Sequence, residues 1–598
     1  MPHLALPRPR SAVALGVAAL ALGAAGLLAS GSAFAALPAP DTTAMVSVTP
    51  LVPSTAGNNI SNEVSVSGDG RFVAFTSLAD NLVGIGSHDK SQVYKRDLLT
   101  GTTTLVSAAL IGVDSGTDDS TDPSISADGR YVSFTSMALN LGPSDDPRNV
   151  HNQIFVRDTL LGTTRELSLI PGGLTGGDDD STSSSISADG SKVAFQSAAT
   201  DLLVGVTTTD TQVYLAPNVA DPVIQAVSLR DGASLRLPDD DSLQPAISGD
   251  GNTVAFVSAA SNLAAVPGNG STQVYTRTLS TSTTKLLSFT STDKTMAAHN
   301  ISAGPSVSFD GSRVAYQSKA ADLIPESAGI ATQVIVFDRS LDANSLVSFN
   351  RANTGAGTGI SGQPSISADG NAVAFASLSD LTAVPGGGLS QVYRRDLRTK
   401  TTTIVSVQAG TALAAGTRDS LAPALSGDGN FVGFTSSAPS LTDIATRPIQ
   451  TQTYLRAAGA AAPPTAPATP TATTTPAPPA TGTPGTGGST GSGQGGSGSG
   501  GSGSGGAGGS GSGHLASTGM SQAPIMAAGV SAAVLALVGG SILFGARAAR
   551  RRRLALGSAG GSGSVGGADA AGVAESIGDS GPTPSPRSTE HPTTGADE

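Results

Sequence analysis

The chain has no cysteine and no tryptophan among its 598 residues. Without cysteine a disulfide framework is excluded, so an exported fold must be stabilised by burial between its parts. The formal net charge is −12, and no stripe of lysine or arginine appears in the long central region. Nucleic acids and anionic membrane surfaces are bound by cationic faces, so the composition argues against both as general partners.

The N-terminus has the pattern of a secretory signal. An apolar run from Ala12 to Leu28 follows two arginines and precedes the small-residue motif Ala33-Phe34-Ala35. We therefore expect residues 1–35 to be a signal peptide that is cleaved between Ala35 and Ala36. An uncleaved N-terminal anchor is the alternative, because the apolar run is long for a signal peptide. Either way, the chain is expected to be exported.

A second apolar segment, residues 524–546, has 23 residues without a charge. At ~1.5 Å per residue such a helix is about 34 Å long, enough to span the hydrocarbon core. Five arginines follow within residues 547–553, and a positive flank is typical of the cytoplasmic side. We expect one transmembrane helix, an extracytoplasmic repeat region, and a basic flank with a disordered cytoplasmic tail over 547–598. The alternative, a buried helix of a soluble domain, is disfavoured by the low-complexity sequence on both sides.

Between the repeats and this segment, residues 457–514 are rich first in Pro, Thr and Ala and then in Gly and Ser. This composition predicts a disordered linker, semi-stiff in its first half and flexible in its second. For 58 residues a flexible coil spans roughly 40–45 Å on average. The linker is therefore expected to act as a stalk beneath the repeats.

A unit of about sixty residues recurs seven times between Ser61 and Arg456. Each copy has a Ser-x-Asp-Gly turn, a Val-Ala-Phe-like strand and a Gln-Val-Tyr-like strand. So regular a period predicts a repeat fold. The turn aspartates that mark the period are Asp69, Asp128, Asp189, Asp250, Asp310, Asp369 and Asp428.

Each copy is predicted to form four antiparallel strands. In the first copy, segments 63–67 and 72–77 flank the hairpin turn, and strands beginning at Gln92 and Thr103 follow. Four-stranded units without helical periodicity between them predict an all-β, seven-bladed β-propeller, which leaves no long exposed edges.

The two ends of the repeat region complement each other. The seventh copy lacks a fourth strand, but residues 42–48 carry that strand's pattern, so we expect the N-terminal strand to close the last blade. The predicted propeller domain covers residues 36–456, with blades near 61–107, 120–168, 181–228, 242–288, 302–348, 361–406 and 420–456.

The segments from Pro123 to Phe134 and from Pro364 to Phe375 carry the repeat in its clearest form. They resemble the WD40-like (PD40) propeller repeat of the TolB family, and the resemblance covers residues 42–456. True WD40 repeats are excluded because the chain has no tryptophan. TolB itself has a separate N-terminal domain and six blades, so its envelope role is not transferred here. Similar propellers precede the peptidase domain of prolyl oligopeptidases, but nothing after Arg456 has the sequence of such a domain.

A pentapeptide just before the second apolar segment resembles the L-A-x-T-G form of the sorting signals on actinobacterial surface proteins. The resemblance implies that a sortase cuts after the threonine and joins it to the cell wall. A plain single-pass anchor is the alternative, because alanine stands where the usual signal has proline and 45 residues follow the arginines. The pentapeptide is Leu515, Ala516, Ser517, Thr518 and Gly519.

Acidic residues break the repeat symmetry. They occur before blades two, three and four, whereas the equivalent loop into blade six, residues 351–361, has no acid. Because such loops line the channel mouth on one face, that mouth is predicted to be acidic on one side. Grouped carboxylates suit Ca²⁺ or a cationic partner, and solvated loop acids without a ligand are the alternative. The residues are Asp118, Asp119, Asp122, Asp178, Asp179, Asp180, Asp239, Asp240 and Asp241.

The other repeated polar residues have structural interpretations. Asp-Gly pairs suit the hairpin turn, and the glutamines that open each third strand are expected to satisfy backbone groups between blades. The three propeller histidines, His88, His151 and His299, lack the spacing of a metal set. The sequence therefore favours a non-catalytic role without settling it, and indicates no cofactor, with Ca²⁺ at the acidic loops as the open alternative.

The sequence favours a surface-anchored binding or scaffolding module at the cell envelope that holds a protein, a glycan or a cation on its acidic face. The alternative is a hydrolytic or carbohydrate-active propeller enzyme with its site at the same channel mouth.

Overall fold

The computed structural model describes residues 36–459, apart from 51–53, 88, 113, 143–149, 173–174, 207, 221, 232–235, 328–330, 412 and 448. The predicted signal peptide, nearly all of the linker, the pentapeptide 515–519, the apolar segment 524–546 and the tail lie outside these residues, as does His88. In the part of the chain that is described, no helix is long and apolar enough to cross a membrane.

The described residues form 28 strands in seven four-stranded antiparallel sheets. The first strand along the chain is β1 (Thr43–Met45). Blade one consists of β2 (Ser61–Val66), β3 (Phe72–Ser77), β4 (Gln92–Asp97) and β5 (Thr102–Leu105). Blade two consists of β6 (Ser120–Ile125), β7 (Tyr131–Ser136), β8 (Gln153–Asp158) and β9 (Thr163–Glu166). Blade three consists of β10 (Ser181–Ile186), β11 (Lys192–Ser197), β12 (Gln212–Pro217) and β13 (Gln225–Ala226). Blade four consists of β14 (Ser242–Ile247), β15 (Thr253–Ser258), β16 (Gln273–Thr278) and β17 (Thr283–Leu286).

The remaining blades follow the same order, with one short 3-10 helix, Pro325–Ser327, in blade five. Blade five consists of β18 (Ser302–Val307), β19 (Arg313–Ser318), β20 (Gln333–Asp338) and β21 (Ala343–Leu346). Blade six consists of β22 (Ser361–Ile366), β23 (Ala372–Ser377), β24 (Gln391–Asp396) and β25 (Thr401–Ile404). Blade seven contains β26 (Ser420–Leu425), β27 (Phe431–Ser436) and β28 (Gln452–Ala457). The first strand of each blade contacts the first strand of the next, and β26 contacts β2, so seven inner strands surround a central channel.

The N-terminal strand completes the last blade. In that sheet β1 pairs antiparallel with β28, and Met45 lies opposite Tyr454. The backbone pairing continues past the strand, where the amide of Val46 donates to the carbonyl of Thr453 at 2.8 Å. The predicted closure by an N-terminal strand is therefore confirmed, and the predicted all-β, seven-bladed propeller with it.

The Asp-Gly turns form a closed ring on one face, termed here the turn face. In each blade a turn amide donates to a carbonyl in the turn of the next blade at 2.8–3.1 Å, and Asp428 of blade seven donates back to Gly68 of blade one. Each turn glycine has a positive φ, and a Cβ added to Gly70 would lie 2.3 Å from the ring of Phe431. The turns therefore need glycine for both conformation and space, as expected for a structural role.

The core lies between neighbouring blades and is built from the second and third strands. In six blades an aromatic ring of the second strand stacks on one of the third, with centroids 5.6–6.0 Å apart. These rings are almost completely buried. Apolar clusters also join neighbouring blades, as where Val66 of blade one belongs to the same buried cluster as Phe431 of blade seven, so apolar packing replaces the missing disulfides.

Every inner strand contains a bulge that the sequence pattern does not reveal. The register against the second strand shifts between the second and fifth residues of the inner strand, as between Asn62 and Ser65. The third residue has a positive φ of 48–61° in all seven blades. These residues are Glu63, Asp122, Ser183, Gln244, Gly304, Gln363 and Ala422.

Candidate functional site

The face opposite the turns carries the candidate site. Here the three residues before each inner strand form what we term the mouth loops, because they lie where the channel opens. The loops between second and third strands reach the same face, since each inner strand runs from this face to the turn face. The mouth loops are residues 58–60, 117–119, 178–180, 239–241, 299–301, 358–360 and 417–419.

The repeated glutamines hold the mouth loops in place. Gln92 of blade one donates to the carbonyl of Gly116, 3.0 Å away, just before blade two's mouth loop. Its own carbonyl oxygen accepts the Ser107 hydroxyl at 2.6 Å. All seven glutamines donate to a carbonyl at or next to the following mouth loop. The predicted structural role of these glutamines is confirmed.

The acids of blades two, three and four occupy these mouth loops. The last acid of each loop accepts a backbone amide from the preceding blade at 2.8–2.9 Å: Asp119 from Ser91, Asp180 from Asn152 and Asp241 from Thr211. We term Asp118, Asp119, Asp178, Asp179, Asp180, Asp239, Asp240 and Asp241 the acidic arc.

The first acid of a loop braces the neighbouring loop. Asp178 accepts the amide and the hydroxyl of Thr200, both at 2.6 Å, and Asp239 makes the same pair of contacts with Ser261. Partial burial acts to raise the pKa of Asp178, but the hydrogen bonds from Thr200 outweigh it, so the pKa lies below its ordinary value. Both carboxylates are therefore charged at neutral pH.

Negative charge is not needed for the contact in which the middle residue of a mouth loop accepts the amide of the next residue. Asn59 in blade one and Asn300 in blade five accept the following amide at 2.9 Å, as Asp118 does in blade two. A neutral amide oxygen thus fills the same role. The charge of the middle acids of the arc therefore exceeds what their loop contact requires.

The rest of the mouth is less polar. At the position of Asp119, Asp180 and Asp241, blades one, five and six have isoleucine. Ile60 is 37% exposed and Ile301 is 40% exposed. Blade seven has an acid, Asp419, which accepts the amide of Ser390 at 2.8 Å. The mouth therefore has a continuous acidic stretch on blades two to four, whereas blades five, six and one have isoleucine at the same position and blade seven, between six and one, has Asp419.

Lys90 and His151 face the acidic arc from the preceding blades. Lys90 lies 2.6 Å from Asp118, and this contact outweighs partial burial and holds the pKa of Asp118 below its usual range. His151 Nδ1 lies 3.8 Å from Asp179 Oδ1 and 3.9 Å from Asp180 Oδ1. His299, in contrast, is in direct contact with a single carboxylate, that of Asp322.

The structure places Asp122 within β6 rather than in a loop. It occupies the left-handed bulge, is only 8% exposed, and donates its amide to Glu63 Oε2 at 2.9 Å. Burial, and then the charge of Asp122, raise the pKa of Glu63 to about 8. The sequence analysis missed Glu63, whose only signal is its place at the third residue of an inner strand.

A second buried acid was also missed. Glu166, at the end of β9, is 4% exposed, whereas the same position in blades one, four and five holds Leu105, Leu286 and Leu346. Together with Phe155, Gln153 and His151, Glu166 lines a small cleft on the loop face. The signal in the sequence is a carboxylate at an otherwise aliphatic position.

These features define a seven-bladed β-propeller, closed by its N-terminal strand, with a polarised loop face. No family model and no curated protein matches the sequence.

Solved propellers are similar to the chain in fold only. A protein described as TolB from Agrobacterium tumefaciens is 15% identical, with 59% of this chain and 93% of that chain covered and a TM-score of 0.31. The propeller domain of the Trilobed protease from Pyrococcus furiosus is 11% identical; the match covers 65% of this chain and 100% of that domain, with a TM-score of 0.38. Dipeptidyl peptidase 4 from Porphyromonas gingivalis is 15% identical; the match covers 68% of this chain and 57% of that chain, with a TM-score of 0.34.

Proposed function

We propose that this protein is an exported propeller, held at the cell surface by its C-terminal segment, whose loop face binds a positively charged segment of an envelope protein. The observation that supports this most is the acidic arc, eight carboxylates on three adjacent mouth loops. At the middle position of the mouth loop asparagine makes the same backbone contact in other blades, so the charge at that position calls for an explanation beyond folding.

The distribution of charge and apolar surface fits such a partner. Clustered carboxylates attract a cationic segment over a distance and orient it as it approaches. The adjoining blades one and five offer the part-exposed Ile60 and Ile301, which suit apolar side chains. A basic segment with interspersed apolar residues would therefore complement both the acidic and the apolar residues of the mouth.

The partner is tested by capture from envelope extracts with the full chain in detergent. The charge variant is Asp239→Asn/Asp240→Asn/Asp241→Asn, in which each asparagine keeps one accepting oxygen. The second oxygen of Asp239, which accepts the Ser261 hydroxyl, becomes an amide nitrogen. The matched control, Asp128→Asn/Asp250→Asn/Asp428→Asn, removes the same charge from the turn face. We expect basic proteins to be captured by the wild type and the control and to be lost from the charge variant. Unchanged partners with the charge variant, or glycans without protein, would contradict the proposal.

The anchor is proposed from the sequence, with sortase attachment as one route and a plain transmembrane anchor as the other. Mass spectrometry of protein released from the wall by muramidase separates them. A C-terminus at Thr518 supports the sortase route. An intact tail up to residue 598 in that fraction supports the plain anchor.

A second candidate, a hydrolytic enzyme, is favoured by one observation. Glu63 and Asp122 are paired inside the channel, and the pKa of Glu63 is raised to about 8. A protonated carboxyl beside an acid is the arrangement that general-acid hydrolysis of glycosides uses. Activity of the full chain on chromogenic glycosides that disappears in both Glu63→Gln and Asp122→Asn would support this candidate. No activity on such a panel would leave the binding role as the better account.

A further inference from the structure

A gap of 3.8–3.9 Å separates the acids of blade three from an imidazole of blade two. In the portion of the chain that is described, His151, Asp179 and Asp180 are the one group of three metal-ligand side chains whose ligand atoms all lie within 4.8 Å of one another. The separations of 3.8 and 3.9 Å between His151 Nδ1 and the two carboxylates are too long for hydrogen bonds. We propose that this gap binds a divalent transition-metal ion such as Zn²⁺, with His151, Asp179 and Asp180 as its ligands.

The ligand distances suit a small ion. Zn²⁺ lies ~2.0–2.1 Å from imidazole nitrogen and ~2.0–2.2 Å from carboxylate oxygen, so two ligands of one tetrahedral ion are about 3.4 Å apart. The separations of 3.8 and 3.9 Å from His151 Nδ1 to the two carboxylate oxygens exceed this value by a few tenths of an ångström, and all three ligand atoms lie within 4.8 Å of one another. One nitrogen and two oxygens leave a fourth position open for water or for a group of a partner. Ca²⁺, which takes six to eight oxygen ligands, fits this set poorly.

The carboxylates are positioned by the backbone without a metal. Asp179 Oδ1 accepts the amide of Asp180 at 2.8 Å, and Asp180 Oδ1 accepts the amide of Asn152 at 2.9 Å. Side-chain exposures of 34% for His151, 23% for Asp179 and 53% for Asp180 give an ion access from solvent. The site is therefore both ordered and reachable.

In blade one the equivalent position holds a cation. His151 stands two residues before the glutamine of its third strand, as does Lys90 in blade one, and Lys90 places its ammonium group 2.6 Å from Asp118 of the next loop. In blade two the ammonium is replaced by an imidazole, which ligates metals. In blade three the position is Asp210, which provides an internal control without a nitrogen ligand.

The test is calorimetric titration of the chelator-treated full chain with Zn²⁺ and, separately, with Ca²⁺, together with metal analysis after dialysis. We expect one Zn²⁺ per chain, and an affinity that falls at least about tenfold in His151→Ala and in Asp180→Asn. Asp180→Asn keeps the oxygen that accepts the Asn152 amide, so it changes the ligand without removing the loop contact. His299→Ala and the Asp239–Asp241 asparagine variant should bind Zn²⁺ as the wild type does.

No Zn²⁺ binding, equal binding by His151→Ala and the wild type, or a preference for Ca²⁺ would each overturn the proposal. Circular dichroism melting of the metal-free variants verifies that they fold; His151→Gln replaces His151→Ala if the alanine variant melts early. Failure of this site is distinguishable from failure of the partner proposal, because the partner is tested at Asp239–Asp241 and the metal at His151.

Discussion

Glu63 of blade one accepts the amide hydrogen of Asp122 of blade two, with 2.9 Å between Oε2 and N. Both residues lie at left-handed bulges of inner strands, so the contact joins two blades at the channel wall. Gln244 makes the equivalent contact to Gly304 at 3.0 Å, and Gln363 to Ala422 at 2.9 Å. Glutamine therefore accepts the bulge amide of the next blade without carrying a charge, whereas Glu63 places a carboxyl beside another acid.

This contact predicts a specific pH dependence. Burial, and then Asp122, raise the pKa of Glu63 from 4.5 to about 8. Between these values the folded protein holds a proton that the unfolded chain has released, so the free energy of unfolding falls as pH rises through this window. Glu63→Gln should remove this fall and make the protein more stable than the wild type at pH 8.5 by on the order of 2 kcal/mol. Thermal unfolding of both proteins between pH 4.5 and 8.5 measures it.

Gln363→Glu is the control for this pair. It places a carboxyl at the same bulge position but beside Ala422 instead of an acid. We expect it to add a smaller pH-dependent loss than the one Glu63 produces. A wild-type stability that stays constant or rises from pH 5 to 8 relative to Glu63→Gln would refute the account of the pair.

Two turn glycines at equivalent positions are predicted to differ in how much stability a substitution by alanine costs. Gly70 and Gly251 have similar positive φ values of 76° and 67°, so alanine costs about 1 kcal/mol at each. At Gly70 the added Cβ lies 2.3 Å from the buried ring of Phe431, whereas at Gly251 it lies 3.1 Å from the flexible chain of Lys192. Gly70→Ala should lose at least about 2 kcal/mol more than Gly251→Ala. Equal losses in denaturant unfolding would contradict the packing argument.

The closing strand predicts that a small change near the N-terminus destabilises the whole ring. Met45 is 4% exposed and pairs with Tyr454, so Met45→Asp would bury a charge and cost at least about 3 kcal/mol. Thr43→Asp, two residues earlier, is the control, because Thr43 is only half-buried and its hydroxyl already accepts Arg456 at 3.1 Å. Calorimetric melting should show a large decrease for the first variant alone. Similar melting of both would mean that β1 contributes little to closure.

The sequence alone led to most of the fold because the repeat encodes it locally. The Asp-Gly turns, the period of about sixty residues and the strand missing from blade seven all follow from residues within one copy or at the two ends. The glutamine contacts were also predictable, since a buried amide at one register position in every copy must satisfy backbone groups.

The site was less predictable because it depends on the register between copies. The alternation from Glu63 to Ser67 reads as a regular strand, and among the seven bulge residues only Gly304 signals a positive φ. For the same reason Asp122 was assigned to a loop. The proximity of His151 to Asp179 and Asp180 joins different blades, which no spacing along the chain reveals.

The central claim, that the acidic arc binds positively charged segments, is tested most directly by fluorescence anisotropy with a labelled lysine-rich peptide. The full chain, the Asp239–Asp241 asparagine variant and the turn-face variant with asparagine at 128, 250 and 428 are titrated at low and at physiological salt. The account predicts binding that weakens with salt, falls at least about fivefold in the arc variant and stays within about twofold in the turn-face variant. Equal affinities of the two variants, or binding insensitive to salt, would contradict it.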